Sequence, residues 1–209
     1  MNYLVTGTDT GVGKTFVTSG LLRFSRSKGI DSVGMKPICT GDHNDVRQIL
    51  EACGSCEPEH LINPVWYRTP VAPYSASIIE DRLIDLGSIR DAFGHLASRH
   101  SSVLVEGAGG IAVPILAHYD FRDLARDLRL NVIIVAANRL GVLNHARLTV
   151  EAIRAAGLKS SLIAMNSLQA ESDISQSTNL SVLENLVDVP VLGVDYNQDQ
   201  FADLARRLW

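Results

Sequence analysis

Nine residues near the amino terminus, Gly7-Thr-Asp-Thr-Gly-Val-Gly-Lys-Thr15, set glycines, a lysine and a hydroxyl at the spacing that holds a nucleotide polyphosphate. Gly11 and Gly13 let the backbone curl so that several N–H groups, that of Val12 among them, point inward. Lys14 adds a charge for the β- and γ-phosphates, and the Thr15 hydroxyl is placed to bind Mg²⁺. The loop follows an apolar run, Tyr3-Leu4-Val5, and the stretch from Phe16 to Phe24 suits a helix, so the phosphates also meet a helix N-terminus. The strict G-x-x-x-x-G-K-[ST] spacing puts its first glycine at position 8. That residue is Thr8, and the glycine stands one place earlier, at Gly7.

In an open parallel sheet, ligands bind at the carboxyl ends of the strands. Lys36 follows the second such run. It can neutralise charge on a transferring phosphoryl group or an anionic substrate, or it can be a solvated surface lysine. Asp45 opens a helix, where an acid also serves the helix dipole, and Asp42 can fill that role. Asp45 becomes a metal candidate because Thr15 implies a Mg²⁺ that needs further oxygen ligands. Glu106 closes the apolar run Val103-Leu104-Val105 and is followed by Gly107-Ala-Gly-Gly110. An acid in that place is the Walker-B arrangement, and the glycines let backbone approach a ligand. Asn144 lies near a helix start, where the N–H groups can hold a carboxylate or the side chain can cap the helix. Asn166 ends Leu162-Ile-Ala-Met165 and can read a purine edge through both halves of its amide.

The elements that must position these residues alternate along the chain. Strands are expected at Tyr3–Thr6, Ser32–Met35, Val103–Glu106, Val132–Ala136, Leu162–Met165 and Val191–Val194. Runs such as Val132-Ile-Ile-Val135 lack polar alternation, as strands buried on both faces do. Helices are expected at Lys14–Ser27, Asp45–Ala52, Ser88–Ser98, Phe121–Leu128, Asn144–Ala156, Ser181–Leu186 and Gln198–Leu208. The reading is an α/β protein: one doubly wound, mostly parallel sheet with helices on both faces, of P-loop NTPase type, as a single domain over residues 1–209. The stretch from Glu57 to Ser77, with four prolines, reads as one long irregular loop folding over the site.

With 209 residues the chain can bury a sizeable core. Its net charge of −4 and lack of a basic block argue against nucleic acid as a partner. No apolar run is long enough to span a membrane, and Asp9 interrupts the start of the chain too early for a signal peptide, so a cytoplasmic protein is expected. Cys39, Cys53 and Cys56 are too few for a disulfide scaffold. Cys53-Gly-Ser-Cys56 follows a helix instead of opening one, and both cysteines read as incidental. The scattered histidines give no metal-ligand spacing on a helix face.

Four segments taken together, Gly7 to Thr15, Lys36-Pro-Ile-Cys-Thr-Gly41, Val105-Glu-Gly-Ala-Gly-Gly110 and Leu140-Gly-Val-Leu-Asn-His145, resemble the dethiobiotin synthetases in order and spacing. The likeness runs from the first strand to about Asn166. It implies that 7,8-diaminononanoate, CO₂ (or bicarbonate) and ATP give dethiobiotin, ADP and phosphate with Mg²⁺. It further implies Lys36, Lys14 and Thr10 as catalytic residues and Thr15, Asp45 and Glu106 as metal ligands. ATP would be held by Gly11 to Phe16, by Asp45, Glu106, Gly107, Ala108 and Gly109, and by Asn166 and Ser167. Thr40 would contact the substrate, and Gly141, Val142 and Asn144 of a partner subunit would receive its carboxylate, in a homodimer with the active site at the interface.

Three other classes fit less well. A partitioning or septum-positioning ATPase carries a lysine five residues before the loop lysine, where this chain has Asp9. A GTPase needs an acid that Asn138-Arg-Leu-Gly141 does not supply. A glutamine-dependent ligase needs a further domain that 209 residues leave no room for.

Overall fold

The computed structural model describes residues 1–171, 173–199 and 201–209. The first half of the chain runs β1 (Tyr3–Gly7), α1 (Lys14–Ser27), β2 (Ser32–Met35), β3 (Ile38–Thr40), α2 (Asn44–Ala52), α3 (Glu59–Ile62), β4 (Val65–Tyr67), α4 (Pro73–Ile79) and α5 (Leu86–Arg99). The second runs β5 (Ser102–Gly110), β6 (Pro114–Leu116), β7 (Tyr119–Asp120), α6 (Phe121–Asp127), β8 (Asn131–Ala137), α7 (Val142–Ala155), β9 (Ser160–Asn166), α8 (Gln176–Leu186), β10 (Val191–Val194) and α9 (Ala202–Ala205).

All six expected strands enter one sheet in the order β10-β9-β8-β1-β5-β2, each neighbour pair parallel. Consecutive residues Val132 to Ala136 and Leu162 to Met165 are buried. Successive side chains point to opposite faces, so both faces of the sheet are covered. Strands β5 and β2 lie on one side of β1, and β8, β9 and β10 on the other. The order therefore reverses at β1, and the crevice beyond its carboxyl end is where such sheets take ligands.

The stretch from Glu57 to Ser77 is not one irregular loop. It holds α3, β4 and most of α4, and β4 pairs in parallel with β3. Two of its prolines start helices: Pro58 caps α3, and Pro73 is the first residue of α4. Proline suits a first helical turn because its missing N–H has no partner there to lose. Only the part around Pro70 to Pro73 reaches the crevice.

Other boundaries also move. Helix α7 begins at Val142, behind Gly141 in a left-handed conformation (φ 95°), and not at Asn144. Helix α8 begins at Gln176, five residues before expected, in a stretch with no apolar period. The expected helix over Gln198–Leu208 is the short α9, and residue 200 of that span lies outside the described residues. Beyond α9 the chain turns to let the Tyr3 hydroxyl donate to the Leu208 carbonyl at 2.5 Å. No described helix is long and apolar enough to cross a membrane.

Candidate active site

The turn from β1 into α1 builds the phosphate loop. Gly13 precedes α1 with φ 87°, and a Cβ there would lie 2.1 Å from Asn166 Nδ2. Conformation and space both demand glycine. Gly7 is needed for space alone: a Cβ would meet the Asp9 carbonyl oxygen at 2.5 Å and the Gly109 carbonyl oxygen at 3.0 Å. The displaced first glycine of the motif thus marks where the loop closes on itself and on β5.

Lys14 is buried, and its one direct contact is the Asp9 carbonyl oxygen at 3.4 Å. Burial, helped by the nearby charge of Lys36, lowers its pKa. Lys36 shows the opposite shift. Burial alone would strip its proton, but Glu106 at 2.6 Å and Asp45 at 2.8 Å outweigh it and raise the pKa. Asp45 responds in kind: partial burial pushes its carboxyl up, and Lys36 and Thr15 pull it below the usual range. The Lys36 backbone is clamped as well. Its N–H donates to Ile62 O at 2.7 Å, and its carbonyl accepts from Asn63 Nδ2 at 2.7 Å. Asn63 is a buried residue of the supposed loop, and its part in the site has no sequence signature.

Glu106 is fully buried on β5, level with Val5 of β1. Its Oε1 accepts from Thr15 Oγ1 at 2.8 Å as well as from Lys36, while Oε2 has no hydrogen-bond partner among the described residues. Thr15, Asp45 and Glu106 thus converge as hard oxygen donors, with a cation already among them and one buried acceptor unused. That donor set fits Mg²⁺.

A cleft of about 600 Å³ opens over this cluster. Thr10, Gly11, Thr40, Ala108, Gly109 and the Pro70–Pro73 strip line it. Cys39, absent from the expected site, lies on its wall, with its Sγ directed at the Asp42 carbonyl and its thiol pushed up by burial to about 11. Asn166 stands behind the loop. Its Nδ2 donates to Val12 O at 3.0 Å and its Oδ1 is unpartnered. One N–H of the amide holds the loop, which leaves its second N–H and the Oδ1 acceptor for a ligand. Ser167 follows it, with its N–H on Val194 O. Phe16 packs edge-on against Phe201 at 5.7 Å and faces the C-terminal segment. Gly107 offers its carbonyl to Lys36 at 3.4 Å. Gly141, Val142 and Asn144 do not line the cleft of their own chain. Asn144 is exposed at the start of α7, and Val142 is buried.

A family model described as an AAA domain matches residues 1–200. An ATP-dependent dethiobiotin synthetase BioD from Akkermansia muciniphila is 38% identical over 97% of this chain and 95% of its own. One from Anaeromyxobacter dehalogenans is 42% identical over 87% and 83%, and one from Endomicrobium trichonymphae 33% identical over 98% and 96%. Among solved structures, the signal recognition particle receptor FtsY from Elizabethkingia anophelis superposes with a TM-score of 0.56 at 17% identity, over 91% of this chain and 56% of that one. The septum site-determining protein MinD with Mg-ADP from Pyrococcus horikoshii superposes at 0.53 with 14% identity, over 94% and 82%. At such identities these two share the fold alone. The sequence likenesses extend well beyond the phosphate loop and cover nearly whole chains, and this protein belongs to the ATP-dependent dethiobiotin synthetase family.

Proposed function

We propose that the protein converts 7,8-diaminononanoate, CO₂ and ATP to dethiobiotin, ADP and phosphate, as a single P-loop domain acting in a cytoplasmic homodimer. The observation that carries this reading is Lys36, a charged and buried lysine facing the phosphate loop across a cleft wide enough for a small substrate. An amine of the substrate adds to CO₂ and loses a proton, giving a carbamate. A carbamate oxygen attacks the γ-phosphate and expels ADP, leaving a carbamic–phosphoric anhydride. The second amine attacks the carbamoyl carbon, closes the urea ring and expels phosphate.

The chain's residues divide this work. Gly11 to Phe16 present N–H groups and the Lys14 charge to the phosphates. Lys36 neutralises the carbamate and then the transferring phosphoryl group. Thr10 and Thr40 hold the reacting end of the substrate, and Gly107 to Gly109 let it approach backbone closely. Asn166 Oδ1 accepts from the base amine, beside Ser167. Thr15, Asp45 and Glu106 would hold Mg²⁺, which when bound would offset the charge of the phosphates. The partner's Gly141, the partner's Val142 and the partner's Asn144 would receive the distal carboxylate at a helix N-terminus.

The test is phosphate release from Mg-ATP and bicarbonate with and without 7,8-diaminononanoate, with mass detection of the cyclic urea. Diamine-dependent release with the ring product is expected. ATP binding with no diamine-dependent turnover would overturn the substrate assignment.

A further inference from the structure

Away from the cleft, α2 ends in a turn that folds the chain back on itself. Cys53 caps the helix, and Gly54 and Ser55 take left-handed φ values of 69° and 47°. The Ser55 N–H donates to Leu50 O at 2.8 Å, outside a Gly54 N–H to Glu51 O bond at 3.0 Å. This nested pair is a Schellman closure. It places Cys56 just beyond the helix end, three residues after Cys53.

The two sulfurs differ in surroundings. Cys53 is fully buried, its Sγ 3.4 Å from the Leu50 carbonyl. Cys56 is exposed, and its Sγ lies 3.9 Å from Arg26 Nη1, a guanidinium anchored on the Ser32 carbonyl at 3.1 Å. A sequence view treats this C-x-x-C as incidental because it does not open a helix. The turn leaves an exposed thiol beside the Arg26 guanidinium, with a buried thiol three residues before it.

We propose that Cys56 and Cys53 are a reversible dithiol–disulfide pair, with Cys56 attacking first and Cys53 resolving, whose substrate is a low-molecular-weight disulfide of the glutathione class. The Cys56 thiolate attacks one sulfur of the small disulfide, forms a mixed disulfide and releases one small thiolate. Cys53 then attacks the Cys56 sulfur, forms the intramolecular bond and releases the second small thiolate. The two protein thiol protons end on the two departing thiolates. Two protein thiols are oxidised, and one small disulfide is reduced to two thiols. Burial raises the Cys53 pKa, consistent with its acting second. Cys39 is the internal control, since its thiol is buried and pushed up to about 11.

The experiment incubates the full chain in graded ratios of oxidised to reduced glutathione, quenches with acid, unfolds the chain, traps all remaining free thiols with an alkylating agent, and reads intact mass and peptide map. The wild type is expected to lose two hydrogens, with Cys53 and Cys56 linked and Cys39 alkylated, and to regain them in excess reduced glutathione. Cys53→Ser is expected to stop at a glutathione adduct on Cys56, and Cys56→Ser to form neither adduct nor link. Cys56 is exposed, so the second variant keeps the fold even where the first does not. A wild type that collects the Cys56 adduct without closing, or that leaves both thiols free in excess oxidised glutathione, would overturn the proposal.

Discussion

Two clusters of opposite charge tie distant segments of this chain together, and they differ in completeness. At the carboxyl end of α5, His100 faces Asp31 through Nδ1 at 2.8 Å and Glu57 through Nε2 at 3.0 Å. Arg99 adds a contact to Glu57 at 2.9 Å, and the Ser101 N–H one to Asp31 at 3.2 Å. None of these side chains leaves a buried polar atom without a partner. In the cleft, Lys36, Asp45, Glu106 and Thr15 form an equally short network, yet Glu106 Oε2 is buried and idle, and Lys14 has only a backbone carbonyl. A buried acceptor without a donor costs roughly 1–3 kcal/mol, and a cation held beside Glu106 would offset that cost. The finished cluster is a clasp, and the unfinished one has room for a ligand.

The sharpest way to break that contrast is Lys36→Met. We expect the chemical rate to fall by about 10²-fold or more, since the charge stabilising the transferring group is gone. The same change leaves Glu106 buried beside Asp45 without a counter-charge, at a cost of about 3–5 kcal/mol. Mg²⁺ can replace the missing cation, so it should raise the thermal midpoint of the variant more than that of the wild type. Equal Mg²⁺ shifts in both proteins would show that Lys36 and the metal donors do not share a place. Lys14→Ala should remove ATP affinity in calorimetry. ATP bound as tightly as before would mean that the unpaired lysine is not waiting for phosphate.

Glu106→Gln keeps the shape but removes a hard anionic ligand. Turnover should lose its Mg²⁺ response, by roughly tenfold or more, with the diamine KM little changed. A variant with normal Mg²⁺ dependence would remove Glu106 from the metal set. Asn63→Ala tests the site from behind. It frees the Lys36 carbonyl and should lower kcat several-fold with KM nearly constant, because Asn63 does not line the cleft. A KM change alone would place Asn63 in binding and not in positioning Lys36.

These residues were unequally visible in the sequence. Lys14 and Thr15 follow β1, Lys36 follows β2 and Glu106 lies on β5, all strands expected from sequence, and a parallel sheet gathers its strand ends at one edge, while Asp45 stands in the first turn of α2. Asn63 was hidden because its role lies in a bond to the backbone of Lys36, 27 residues earlier, and no periodicity records that. The stretch around it read as a loop because prolines break helices in the middle, whereas Pro58 and Pro73 begin them here. Asn166 was found by position, but its bond to Val12 could only come from the fold. The turn from Cys53 to Cys56 was hidden for a related reason: left-handed Ser55 is not written in residue type.

The smallest effect should come from the finished cluster, and its pH dependence carries the contrast to the other side of the molecule. Hydrogen bonding to His100 holds Asp31 below the usual carboxylate range. For Glu57, burial pushes upward, but the bonds from His100 and Arg99 outweigh it and the pKa is again lowered. Carboxyls lowered by folding stabilise fully above their unfolded values, roughly pH 4, and that stabilisation fades as pH falls through the folded ones. His100→Ala should therefore cost about 1 kcal/mol, the scale of a partly exposed ion pair, or roughly 2–4 °C in a chain of this size. The gap between variant and wild type should be full at pH 5 and narrow below about pH 4, with kcat unchanged throughout. A gap that widens in acid would mean that these carboxyls are not held down by the clasp. A fall in kcat would mean that the clasp reaches the cleft, and the division between finished and unfinished clusters would then fail.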